Sequence, residues 1–233
     1  MKIVHTALVL AALASTANAA PPAPDTMAQR VQACTACHGD QGRAAADGYY
    51  PRIAGKPAGY LFNQLTGFRD GRRPYALMAN LLEPLAGPEG EAYLREIAAH
   101  FAAIELPYPA PQPPTASQAV LERGRTLALQ GDAALGVPAC AACHGSALTG
   151  VLPATPGLLG LPRDYLNAQL GGWRTGNRRA LAPDCMAEVA KALGPQDISA
   201  VSQWLAAQAV PMPSRAAEAL PLAAPKPCGG GVR

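Results

Sequence analysis

Cys34-Thr35-Ala36-Cys37-His38 sets two thiols three residues apart with an imidazole directly after them. At this spacing both thiols can add to the two vinyl groups of a haem while the adjacent imidazole ligates its iron. The pattern returns as Cys140-Ala141-Ala142-Cys143-His144, and in each copy a glycine follows, Gly39 and Gly145. A zinc site would need four Cys or His ligands, and pooling the two pairs would leave both histidines unexplained. A disulfide within each pair accounts for neither the histidines nor the duplication. The sequence therefore predicts two covalently bound haem c groups, with His38 and His144 as proximal ligands.

The repeat extends beyond the clamps. Tyr60-Leu61, Gln64-Leu65, Gly67, Arg69 and Gly71 return 105 positions later as Tyr165-Leu166, Gln169-Leu170, Gly172, Arg174 and Gly176. At the same displacement Phe68 becomes Trp173, and Pro51 and Gly55 match Pro156 and Gly160. An internal duplication implies two copies of one fold. The apolar spacing in both copies is helical. Helices are expected from Asp25 or Thr26 into the first clamp, then over residues 58–68, 88–103 and 117–129, from Met186 to Leu193, and over 195–207. Met78 falls in a loop or short helix. Residues 106–116, rich in proline, read as a semi-rigid extended linker. The expected division is a first unit over 20–105, that linker, a second unit over 117–210 and a loose tail over 211–233.

Residues 1–19 read as a secretory signal, with Lys2, an apolar run from Ala7 to Ala14 and the cleavage pattern Ala17-Asn18-Ala19. No later run approaches the length of apolar sequence that a membrane helix needs, so the mature chain is expected to have no transmembrane segment. The formal net charge is only +3, acidic in the first half and basic in the second, and nothing in it points to nucleic acid. Aromatic residues make up 5% of the chain. Each unit alone would build a modest core, and a haem would supply the missing apolar mass.

Each clamp provides one axial ligand, so the sixth position separates electron transfer from catalysis. Of four histidines, His5 lies in the signal and two are proximal, which leaves only His100, off the apolar stripe of its helix. Bis-histidine ligation at both haems is excluded. Met78 and Met186 follow their clamp histidines by 40 and 42 residues, and each has a leucine seven residues on, Leu85 and Leu193. A thioether is a soft, neutral ligand that favours ferrous iron. Met27 and Met212 are weaker candidates, one beside the clamp and one beyond the last helix.

The clamp, the Pro-x-x-x-Gly loop before a Tyr-Leu helix and the late methionine before an amphipathic helix resemble class I cytochrome c. The tandem arrangement behind a signal resembles the cytochrome c4 type. The resemblance covers residues 25–208 and implies an all-α protein of two tandem class I cytochrome c domains joined by a Pro-rich linker. It implies His38/Met78 and His144/Met186 as axial pairs, and Pro51 and Pro156 as carbonyl acceptors for the proximal imidazole N–H. The chain departs from the family at Leu85–Gly90, which lacks the usual polar cap, and at Cys185, directly before Met186.

What the resemblance implies for function is a periplasmic carrier of single electrons, not an enzyme. Its redox partners would be a cytochrome bc complex, a haem-copper oxidase or a periplasmic dehydrogenase. Two other readings stand beside it. One is a dihaem electron-transfer subunit of a sulfide or alcohol dehydrogenase. The other is a dihaem enzyme, a peroxidase or thiosulfate dehydrogenase, with an open or thiolate-ligated iron. Cys185 and Cys228 are left over; they can pair in an oxidising compartment, or Cys185 can offer a thiolate to iron. Arg72-Arg73 and Arg178-Arg179 recur near the distal loops, where pairing with haem propionates or a partner competes with plain solvent exposure, the commoner state.

Overall fold

Thr26 opens the first helix with a reciprocal cap: its hydroxyl accepts from the Gln29 backbone N–H at 3.4 Å, and the Gln29 side chain accepts from the Thr26 N–H at 3.2 Å. In a computed structural model, which describes residues 25–45 and 47–230, ten α-helices follow one another with one minimal sheet. The expected signal, residues 1–19, lies outside the described residues. Helices α1 (Met27–Arg30) and α2 (Gln32–His38) are split by a turn at Val31, and α2 carries the first clamp. Then come α3 (Ala58–Arg69), α4 (Ala76–Leu82) and α5 (Gly87–Ala103). The second set is α6 (Gln118–Leu129), α7 (Cys140–His144), α8 (Arg163–Thr175), α9 (Cys185–Ala192) and α10 (Pro195–Ala206).

Each clamp helix ends where the chain must reverse. Gly39 and Gly145 have φ of 76° and 83°, a region that glycine enters without strain. A Cβ on Gly39 would also lie 2.2 Å from the Ala44 carbonyl oxygen. In the second set α6 and α10 cross closely enough that a Cβ on Gly124 would fall 2.1 Å from the Ala200 carbonyl oxygen. That glycine sets the crossing distance.

Two separate cores result. The first gathers Val31, Leu61, Ile97, Ala98 and Phe101, with α3 packed on α5; the second is larger and is built around Leu127, Leu166, Val201 and Leu205. Phe101 is the largest fully buried side chain of the first core, at 2% exposure. Phe101→Ala is therefore expected to cost about 3–5 kcal/mol, read as an earlier unfolding transition of the first set of helices in denaturant.

Proline density keeps residues 106–116 out of regular structure, yet the segment is tacked down on both sides. The buried Arg52 guanidinium donates to the carbonyls of Leu106 (2.6 Å), Pro107 (2.9 Å) and Ala54 (3.1 Å), and lies 4.1 Å over the Tyr108 ring. On the other side Gln112 N–H donates to the Ala206 carbonyl at 2.9 Å.

Two features depart from the expected division, although the pairing of Cys185 with Cys228 is among the alternatives the sequence leaves open. A two-stranded antiparallel hairpin, β1 (Gly150–Val151) and β2 (Thr155–Pro156), follows the second clamp. The segment expected as a loose tail is tied at several points. Ala217 hydrogen-bonds to Gly150 and Leu152 beside β1. Arg215 pairs with Glu105, and Lys226 with Glu188 at 3.1 Å. Cys228 forms a disulfide with Cys185, Cα to Cα 5.1 Å. Among the described residues no helix is long and apolar enough to cross a membrane.

Candidate haem centres

Within α2 and α7 the two clamp cysteines are one helical turn apart and share a face, which is the geometry a two-point covalent attachment requires. Burial pushes the Cys34 and Cys143 thiols upward and takes Cys140 to about 11. These sulfurs stand as neutral thiols in the chain alone.

The imidazoles are oriented from behind. His38 Nδ1 donates to the Pro51 carbonyl at 2.8 Å, and His144 Nδ1 to the Pro156 carbonyl at 2.7 Å. A carbonyl can only accept, so the proton sits on Nδ1 and the Nε2 lone pair of a neutral ring is left free for a metal. Burial lowers both imidazole pKa values, against the proline carbonyl bond; the charge of Arg73 at His38 and that of Lys56 at His144 lower them further. The two sites are unequal: His144 is 7% exposed, whereas His38 is only half-buried and Cys37 is exposed.

Both clamps open on one connected, mainly apolar cavity of about 1670 Å³, lined by His38, Met78, His144 and Met186. That is larger than the roughly 300–1,000 Å³ of a single small-molecule pocket, and it has two clamps to fill it from. Met78 is on α4 and Met186 on α9. The segments carrying them are gripped by the duplicated arginines: Arg69 donates to the Leu85 carbonyl at 3.0 Å, and Arg174 to those of Leu193 and Lys191 at 2.6 and 3.1 Å. Helix α9 has more support. Asp184 caps it, accepting from Ala187 N–H at 3.0 Å and from Ala180 N–H at 2.6 Å, whereas Tyr75 at the start of α4 makes no side-chain cap. Cys185, one residue before Met186, is occupied by its disulfide and offers no thiolate. Met27 packs into the first core and Met212 is exposed; neither lines the cavity, nor does His100.

Between the halves the repeat crosses over itself. Arg73 donates to Gln64 of its own half (3.1 Å) and to Gln169 of the other (2.6 Å); Arg178 donates to Gln169 (2.6 Å) and to Gln64 (2.8 Å). Arg73 lies over Phe68 and Arg178 over Trp173, so the aromatic-for-aromatic exchange keeps a stacking partner for each guanidinium. Solvent exposure, the expected state for these arginines, is wrong for Arg178, which is 6% exposed. Its side chain is drawn inward by two amide oxygens and an indole face. The sequence marked the arginines and the glutamines as repeats; only the apposition of the two halves makes them one cluster.

The cavity suits haem on three further counts. Neither Arg73 nor Arg178 has an ion pair among the described residues. The buried Trp173 Nε1 has no hydrogen-bond partner. All three side chains line the cavity, where carboxylates of a bound group would answer both the charges and the orphaned N–H.

No protein-family model matches the chain. A thiosulfate dehydrogenase electron acceptor of Thiomonas intermedia is 36% identical over 213 residues, covering 91% of this chain and 94% of the relative. A cytochrome c4 of Pseudomonas aeruginosa is 31% identical over 88% of this chain and 97% of its own. The chain belongs to the cytochrome c4 family. The crystal structure of reduced recombinant cytochrome c4 from Pseudomonas stutzeri superposes with a TM-score of 0.65 at 31% identity, over 79% of this chain and 99% of that one. The protein is thus an all-α dihaem c-type cytochrome that holds two haem c groups covalently and carries electrons. Each haem supplies a one-electron iron couple, and the chain fixes its surroundings.

Proposed function

We propose that this c4-type cytochrome works in the periplasm as a shuttle for single electrons, with His38/Met78 and His144/Met186 as axial pairs and no bond-making chemistry of its own. Its haem units are residues 20–105 and 117–210, and residues 1–19 are the export signal. The reading is carried by the two imidazoles, each neutral and held through Nδ1 by a proline carbonyl, facing a cavity that also takes a methionine from each distal helix. An iron closed on both sides exchanges electrons with little ligand rearrangement and has no position for peroxide.

A ferric absorption spectrum tests it, followed during a cyanide titration. The expected result is a methionine-to-iron charge-transfer band with the intensity of two sites and slow cyanide binding. Because α4 lacks the cap and disulfide that steady α9, the His38 haem reacts first. Rapid binding at one haem of the untreated protein, with the band at half intensity, would move the assignment to a dihaem enzyme.

The partner best supported is a thiosulfate dehydrogenase, since the Thiomonas relative is named as the electron acceptor of one. A cytochrome bc complex, a haem-copper oxidase or a sulfide or alcohol dehydrogenase are the other donors and acceptors of the same kind. Thiosulfate plus a thiosulfate dehydrogenase should reduce both haems within single turnovers, and thiosulfate alone should leave them oxidised. Catalytic oxidation of thiosulfate by the cytochrome alone would overturn the carrier assignment.

A further inference from the structure

Lys56 is the buried charge that the electron-carrier reading leaves unexplained. It is 4% exposed, has no ion pair among the described residues, and makes one long hydrogen bond, Nζ to the Gly157 carbonyl at 3.4 Å. A buried ammonium with two N–H bonds unmet is costly. Arg52, four residues earlier and also buried, shows the contrast: three carbonyls and the Tyr108 ring surround its guanidinium. Burial, and then the charge of Arg52, bring the Lys56 pKa down to about 8, so at neutral pH most of the population still carries the proton.

Its place in the fold gives the charge a role. Lys56 belongs to the first half, but its one acceptor is in the second, and that acceptor, Gly157, directly follows Pro156, whose carbonyl holds His144 Nδ1. The contact is braced next door, where Gly59 N–H donates to the Pro153 carbonyl at 3.1 Å in the β1–β2 turn. Lys56 also lines the cavity. The device runs one way: the residue 105 positions later is Leu161, so the second half has no counterpart of this lysine.

We propose that Lys56 is a positioning residue that the first haem unit lends to the second, setting the potential of the His144 haem and drawing the shared electron toward it. Reduction adds one negative charge to a haem. A cation held in a low-dielectric wall beside it stabilises the reduced form and raises the potential. Its hydrogen bond to the loop that holds His144 acts in the same sense, because a positive charge there opposes imidazolate character in the ligand.

The proposal rests on His144 as an iron ligand. That premise belongs to the axial-pair reading, whose closed sixth positions are tested separately by the cyanide titration of the unmodified protein; an open iron there is a failure distinguishable from an unshifted electron distribution here. The experiment is a redox titration of the loaded dihaem protein followed by NMR, each haem's methyl resonances being assigned through its own thioether bridges. Lys56→Met keeps length and packing but removes the charge. It should shift the equilibrium for sharing one electron between the haems at least tenfold toward the first, about 59 mV for a one-electron couple. Lys56→Arg should restore most of that shift. If Lys56→Met does not mature, Lys56→Gln, which keeps a donor for Gly157, takes its place with the same expectation. An unchanged ratio, an equal fall of both potentials, or a loss that arginine does not restore would each overturn the proposal.

Discussion

Met186→Ala should lower the potential of one haem on the order of 0.2 V, a fraction of the roughly 0.8 V that axial ligands command, and open that iron to cyanide and peroxide. The thioether is neutral and soft, so it favours ferrous iron; water in its place favours ferric iron. The methionine-to-iron band should fall to half, because the Met78 site is untouched. The effect should be clean at this position. Helix α9 is held by the Asp184 cap, by Arg174 on the carbonyls of Lys191 and Leu193, and by the Cys185 disulfide, so truncating one side chain leaves its backbone in place. A full-intensity band in the variant, or a potential that stays put, would remove Met186 from the iron.

The way these sites announced themselves follows from how local their chemistry is. Covalent haem attachment is encoded within five residues, and helix geometry alone brings both sulfurs to one face, so the clamps were legible without any tertiary information. The same holds for α3, α5, α6 and α10, whose apolar spacing is helical and whose observed bounds differ from expectation by only a residue or so. The duplication carried the rest of the legible part, pairing Tyr60 with Tyr165 and Arg69 with Arg174 before either had a partner in space.

What stayed hidden depends on contacts between distant segments. Two-residue strands such as Gly150–Val151 have no periodicity to detect, and their third neighbour, Ala217, comes from a part of the chain with no pattern at all. Lys56 is an ordinary lysine in sequence; that it is buried, with its hydrogen-bond acceptor in the second half, shows only in three dimensions. The arginine repeat left propionate or partner pairing open beside two exposed loops, since the sequence does not show that the two copies face each other. Apposed copies give each the other's glutamine.

Cys228→Ser should destabilise the second half by about 2–4 kcal/mol. The disulfide closes a loop of 43 residues in sequence separation, and removing it returns that freedom to the unfolded chain. For a protein of this size each kcal/mol moves Tm by about 2–4 °C, so a fall of roughly 5–15 °C is expected in a thermal scan. The loss should be graded in the native state as well. Lys226 to Glu188, Gly229 N–H to the Pro183 carbonyl at 2.8 Å and Asn63 Nδ2 to the Gly230 carbonyl at 2.6 Å all depend on the tail lying where Cys228 holds it. Their weakening should reach Met186 through the adjacent Cys185, as faster cyanide entry at the His144 haem than at the His38 haem, the reverse of the order expected with the disulfide intact. Cys185→Ser should give the same fall, and the double variant no more than either single one, since both remove one shared bond. Additive losses, or an unchanged Tm in Cys228→Ser, would mean that the tail is held by its polar contacts and that the disulfide contributes nothing to the stability of the second haem site.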